Sequence, residues 1–77
     1  MKIHQALALL DGKEQARRVF NLLSIGKRSV VDITLQLRIA DPRAVIRQIR
    51  DVGITVRDEW CTTEGGKRYK RYWVPMA

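Results

Sequence analysis

The stretch "DPRAVIRQIRDVG", residues 41–53, decides the fold because it has the pattern of one amphipathic helix with defined ends. Asp41 can accept hydrogen bonds from the free amides of a first helical turn. Pro42 fits the first helical position, where its missing N–H costs nothing. Gly53 is typical of the residue that follows a helix. We therefore predict a helix that begins after Asp41 and ends near Val52.

The two sides of this helix differ in chemistry. At about 100° per residue, its apolar side chains gather on one side, and three arginines fall within roughly 60° of one another on the opposite side. The apolar residues are Val45, Ile46, Ile49 and Val52, and the arginines are Arg43, Arg47 and Arg50. The pattern predicts a helix that packs on a core and presents a cationic stripe.

Upstream, helical spacing of apolar residues appears over residues 2–10 and again over residues 13–24. Residues 30–39 are ambiguous, because alternate positions from Val31 to Ile39 are apolar, as in a half-buried strand. Ser29 and Asp32, however, have the spacing of a capping box, and Val30, Ile33 and Leu37 form a helical stripe. We interpret these residues as a helix, with a strand as the alternative.

Downstream, residues 54–75 predict a β-hairpin. Ile54, Val56 and Trp60 alternate with Arg57, Glu59 and Cys61, "EGG" gives a turn, and "KRYKRYWV" is a second β-rich run. The aromatic residues of the second run are expected to complete the core under Trp60. Its cations are Lys67, Arg68, Lys70 and Arg71, and we expect these to bind a polyanion.

Composition limits the function. The chain has 77 residues, enough for one small domain, and its net charge of +7 favours nucleic acid or another polyanion. The single cysteine, Cys61, excludes an internal disulfide and fits a cytoplasmic protein. His4 has no ligand partner in sequence, and Asp58 and Glu59 would point to opposite faces of a strand. We therefore expect no enzyme, catalytic residue, cofactor, metal site, small-molecule substrate or membrane span.

The order helix, helix, short turn, helix, hairpin resembles the winged helix-turn-helix, an α+β fold with a three-helix core and a C-terminal β-hairpin wing. The resemblance covers residues 14–74 and is nearest to small stand-alone proteins of bacteria and their mobile elements. The positions that match the apolar pattern of this family are Ile33, Leu37, Ile39, Val45 and Ile49, followed by Gly53 and Ile54. The division expected for a single domain of residues 1–77 is an N-terminal extension (1–12), a helical core (13–53) and a wing (54–75).

The resemblance implies a double-stranded DNA-binding protein of the bacterial cytoplasm, a transcriptional regulator or a mobile-element accessory factor. Arg43, Arg47 and Arg50 would then lie on a recognition helix in the major groove. Lys67, Arg68, Lys70 and Arg71 would lie on the wing and contact the DNA backbone. The alternative is a winged helix that binds protein or RNA.

Two features leave alternatives open. Many family members have Gly where this chain has Arg38, so either Arg38 adopts a left-handed conformation or the turn is built differently. Ile3, Leu7 and Leu10 of the N-terminal helix either cover the core or pack against a second copy in a homodimer.

Overall fold

A computed structural model of the protein describes residues 2–75, which form four helices and three strands. Their order confirms the four predicted helices and the hairpin, with one short strand added between the second and third helices. The elements are α1 (Ile3–Leu9), α2 (Glu14–Ile25), β1 (Arg28–Ser29), α3 (Val30–Leu37), α4 (Pro42–Asp51), β2 (Arg57–Thr62) and β3 (Arg68–Trp73).

The strands form one antiparallel sheet with β3 in the middle, in the order β1-β3-β2. Strands β2 and β3 pair from Arg57 opposite Trp73 to Thr62 opposite Arg68. The short β1 adds Ser29 opposite Arg71 on the other side of β3. The result is a small α+β domain whose elements are compatible with a winged helix. Residues 54–56 precede β2 instead of belonging to it, so the hairpin is shorter than predicted.

The ambiguous segment is helical because its cap is complete. The Ser29 hydroxyl accepts a hydrogen bond from the Asp32 N–H at 3.1 Å, and the Asp32 carboxylate accepts one from the Ser29 N–H at 3.0 Å. This reciprocal arrangement satisfies two amides that otherwise lack partners at a helix start. Val31 and Leu35 are 64% and 73% exposed, so the alternating apolar residues do not form a buried strand face.

Arg38 ends α3 in the left-handed conformation, with φ 54° and ψ 45°. Its N–H donates to the carbonyl oxygen of Thr34 at 2.8 Å. The first of the two alternatives for this turn is therefore the correct one. The Cβ of an arginine in this conformation lies close to backbone oxygen, which strains the position relative to glycine.

The helices and the base of the sheet surround one hydrophobic core. Leu10 is fully buried and Leu7 is half-buried against this core, whereas Ile3 is 46% exposed, so the alternative in which these residues cover the core holds for two of the three. The N-terminal helix thus closes the core through one side, and the homodimer remains a prediction. The most deeply buried side chains are Leu10, Val19, Phe20, Leu23, Ile33 and Ile49.

The expectation that the aromatic residues of the second run complete the core under Trp60 is confirmed for Tyr72 but not for Tyr69, and Trp60 itself lies outside the core. Trp60 is 58% exposed, and Tyr72, which is 7% exposed, fills the core from the same face of the hairpin. Asp58 lies opposite Tyr72. Trp60 lies opposite Lys70, two residues further along each strand towards the turn. The far half of the hairpin therefore extends past the packed helices, and its alternation does not correspond to burial.

Candidate nucleic-acid interface

An open groove of about 1030 Å³ runs between the start of α3, the start of α4 and the hairpin. Asp32 is the one carboxylate among the described residues that line it, and this carboxylate already accepts the Ser29 N–H. The lining of the groove is therefore rich in cationic side chains. We call it the basic groove, and its six cationic residues are Lys27, Arg43, Lys67, Arg68, Lys70 and Arg71.

Two arginines of α4 are available to a ligand. Arg43 and Arg47 are exposed one helical turn apart, and neither forms a salt bridge within residues 2–75. Arg43 lies in the first turn of α4, which is capped by the Asp41 carboxylate on the Ala44 N–H at 3.3 Å. Arg43 also lines the basic groove, whereas Arg47 continues the cationic stripe along the helix beyond it.

Arg50, the third predicted arginine, binds within the protein. Its guanidinium donates to the carbonyl oxygen of Val56 from Nε at 3.2 Å and from Nη2 at 2.7 Å. Nη2 also contacts the Asp58 carboxylate at 3.0 Å. The same guanidinium lies 5.9 Å from the centre of the Tyr72 ring. These contacts hold the end of α4 to the base of the hairpin and separate Arg50 from Arg43 and Arg47.

The tip of the hairpin is a tight turn that exposes Lys67. The Thr63 N–H donates to the Lys67 carbonyl at 2.8 Å, and the Lys67 N–H donates to the Thr63 hydroxyl at 3.1 Å. Gly66 has φ 85°, which a side chain would strain. The turn thus places one cation at the outer end of the basic groove.

Two further cations of the hairpin flank an exposed aromatic ring. The Arg68 guanidinium lies 4.5 Å and the Lys70 ammonium 5.0 Å from the centre of the Trp60 ring. Lys70 is also 3.9 Å from the Asp58 carboxylate, a weak contact at that distance. Trp60 itself lines the basic groove. We call Trp60, Arg68 and Lys70 the indole cluster.

Arg71 differs from the other hairpin cations because its side chain donates hydrogen bonds to two residues of β2. It donates to the Glu59 carboxylate from Nη2 at 2.9 Å and to the Cys61 Sγ from Nε at 3.1 Å. The hydrogen bond with Cys61, followed by the contact with Glu59, raises the pKa of Arg71. The Arg71 guanidinium is therefore bound largely within the hairpin.

Glu59 is shared by two cations. The Lys27 ammonium lies 2.9 Å from the same carboxylate oxygen that Arg71 contacts. The hydrogen bond from Lys27 is the main reason that the pKa of Glu59 is lowered, with Arg71 contributing less. Lys27 also lies 4.5 Å from the centre of the Trp73 ring.

Reasoning from the sequence did not single out Lys27 or the exposed Trp60. Lys27 stands 32 residues from Glu59, so no local spacing connects them. Trp60 shares its alternation with Ile54 and Val56, which are buried. The available signal was the interleaving of cations and aromatics in "KRYKRYW", where the pattern predicts aromatics in the core and cations that bind a polyanion.

No group of three or more His, Cys, Asp and Glu side chains within residues 2–75 could hold a metal ion. Asp58 and Glu59 lie on opposite faces of β2, as their different cross-strand partners require. Across the same residues, no helix has the length and apolar character needed to cross a membrane.

Comparison with known proteins gives no relative. No family model matches the chain, and neither a curated protein nor a solved structure matches it at a significant level.

Proposed function

We propose that the protein binds double-stranded DNA as a winged helix-turn-helix, with α4 as the recognition helix and the β2–β3 hairpin as the wing. The wider role that fits is a transcriptional regulator or a mobile-element accessory factor of the bacterial cytoplasm. A homodimer through α1 would let two copies read two half-sites.

One observation carries this proposal: Arg43 and the hairpin cations Lys67, Arg68 and Lys70 line the same groove. A helix start and a hairpin that present cations to one space suit a duplex, because one can enter a groove while the other follows the phosphates. The two nearby carboxylates repel a polyanion less than free carboxylates would, because each is paired with cations of the protein. Asp58 and Glu59 are held by Arg50, Lys27 and Arg71.

The arginines of α4 have the chemistry for base contact. A guanidinium can donate two hydrogen bonds to the major-groove edge of guanine, and one good pair discriminates against a wrong base by roughly 1–3 kcal/mol. Arg43 and Arg47 are assigned to DNA contact. Arg50 is assigned to holding the wing against the recognition helix, since its Nε and Nη2 groups already donate within the protein.

The testing experiment is fluorescence anisotropy with a mixed-sequence duplex at several salt concentrations. The variant is Arg43→Ala/Arg47→Ala. Its charge-matched control is Arg17→Ala/Arg18→Ala, which removes two arginines from α2, where they line a separate cavity with Glu14 and Asn21. The control loses the same charge, so it separates a located contact from a general effect of net charge.

We expect the wild-type affinity to fall steeply with salt, with a log-log slope of about 0.9 for each phosphate neutralised. The α4 variant should bind more weakly and with a shallower slope, and the α2 control should bind nearly as the wild type does. Equal losses in both variants would show that only net charge matters. Absence of duplex binding at low salt would reject the proposal.

A second candidate is binding to an acidic protein, or to RNA, through the same surface. The observation that favours a protein is the exposure of three apolar side chains, Ile25, Val31 and Leu35, of which Val31 lines the basic groove. A pull-down that survives nuclease treatment and returns one acidic protein, lost in the Val31→Ser variant, would support this candidate over DNA.

A further inference from the structure

We propose that the indole cluster stacks an unpaired base, so that the preferred ligand is a duplex that continues into a single-stranded DNA tail at the wing. This inference deepens the proposed function and rests on it, because the tail must be adjacent to a duplex held by α4. The residues that carry it are Trp60, Arg68 and Lys70.

Burial in the core does not explain the position of Trp60. Its side chain is 58% exposed on the half of the hairpin that extends past the helices. The core on that face is completed by Tyr72, which is 7% exposed. A large aromatic residue left in solvent gains little stability there, and exposed aromatic rings are the platforms on which single-stranded nucleic acids stack.

The two cations beside the ring suit the phosphates that accompany such a base. Arg68 and Lys70 lie 4.5 Å and 5.0 Å from the ring centre, as a cation–π contact requires. In solvent this contact is weaker than the stacking of a base on the same ring. A base can therefore displace a cation from the indole, and the displaced cation remains within reach of the adjoining phosphate.

The ligand is an unpaired base because both faces of a paired base are covered by its neighbours in the stack. An indole can reach a base face only where the stack ends or a base leaves it. Trp60 lines the same groove as Arg43. A duplex seated on α4 can therefore pass its end, and the strand that continues from it, along the indole cluster.

The test uses the whole protein with Trp73→Phe as the background, so that Trp60 is the only tryptophan of the two in the chain. Three DNA ligands share one duplex: blunt-ended, with a short thymine tail, and with an abasic tail of equal length. The abasic tail keeps the phosphates and removes the bases. The variants are Trp60→Leu, which keeps an apolar side chain without a ring, and Trp60→Phe, which keeps an aromatic face.

We expect the thymine tail to bind about tenfold more tightly than the abasic tail and to quench the Trp60 fluorescence. Trp60→Leu should remove this preference and Trp60→Phe should retain most of it, with the preference measured in each variant as the ratio of its affinities for the two tailed ligands. Equal binding of the two tails, or a preference that persists in Trp60→Leu, would overturn the inference. Failure of the proposed function is distinct, since it appears as loss of blunt-duplex binding by the background protein.

Discussion

The guanidinium of Arg50 lies 3.0 Å from the carboxylate of Asp58, and this contact joins the end of α4 to the start of β2. Together with the two hydrogen bonds to the Val56 carbonyl, it makes one arginine of a uniform-looking stripe a structural residue. The orientation of the hairpin relative to α4 thus depends on a side chain that the sequence alone groups with Arg43 and Arg47.

Replacement of Arg50 should reduce stability more than replacement of its neighbour Arg43. Arg50→Ala leaves the Val56 carbonyl and Asp58 without their donor, and about 1 kcal/mol of unfolding free energy should be lost, a modest figure because the side chain is 42% exposed. Arg43→Ala should stay within about 0.5 kcal/mol. Urea unfolding followed by circular dichroism measures both, and equal effects would contradict the structural role of Arg50.

Removal of the α3 cap should destabilise the fold. In Ser29→Ala the Asp32 N–H loses its acceptor, and about 1 kcal/mol should be lost. The matched control is Ser24→Ala, because the Ser24 hydroxyl only donates to the Asn21 carbonyl on an exposed part of α2. Chemical denaturation of the two variants should show a clear difference, and indistinguishable midpoints would argue against the capping box.

Arg38→Gly should stabilise the protein by about 1 kcal/mol, because glycine relieves the left-handed strain at φ 54°. Arg38→Ala serves as the control, since alanine removes the charge and the long side chain but keeps a Cβ. The midpoint of denaturation should rise for glycine and not for alanine. A rise of the same size in both would assign the effect to the lost charge.

Truncation of α1 side chains should separate core packing from association. Leu10→Ala, at a fully buried position, should cost about 2–5 kcal/mol, whereas Leu9→Ala, at a position 43% exposed, should cost far less. Sedimentation of the wild type and of Leu9→Ala over a range of concentrations tests the homodimer. If α1 forms the dimer interface through its exposed side, the exposed substitution should weaken association while leaving the monomer folded.

The Lys27 to Glu59 contact should contribute to stability at neutral pH and lose its effect in acid. Glu59 has a lowered pKa in the folded protein, so the folded state binds this proton less readily than the unfolded state does. The stabilisation that Glu59 contributes is therefore complete above the ordinary glutamate pKa, and it disappears as the pH falls through the lowered pKa of the folded protein. Glu59→Gln should be destabilised relative to the wild type at pH 7, and the difference should shrink at acid pH.

The control for this prediction is Lys27→Gln, which removes the main cause of the lowered pKa. The pH dependence of stability attributable to Glu59 should be smaller in that background. If Glu59→Gln shows the same difference from its parent at every pH in both backgrounds, the carboxylate does not contribute through this contact.

The helices were predictable because their signals are local. The Asp41 cap, Pro42 and the helical spacing of apolar residues in α4 all lie within one segment, and each agrees with the others. The capping box of α3 is equally local, and it correctly favoured a helix over the strand that the alternating apolar residues indicated. The two-residue β1 could not be predicted, since it has no period and exists only through its pairing with β3.

The sequence identifies individual residues of the candidate interface, but it does not show which of them lie together in the folded protein. The sequence places Arg43, Arg47 and Arg50 on one side of a helix, yet which of them is bound by another element depends on Asp58, eight residues away in β2. Alternation likewise places Trp60 on the face of Ile54 and Val56, but it carries no information on where the helices beneath that face end. Both points depend on tertiary packing.

Ser29 is at once the last residue of β1 and the cap of α3. Its backbone pairs with Arg71 of β3, and its hydroxyl accepts a hydrogen bond from the Asp32 N–H in the first turn of the helix. The hairpin and α3, two of the three elements around the basic groove, are therefore connected at a single residue. Moving them apart at this point would break a strand contact and a helix cap together.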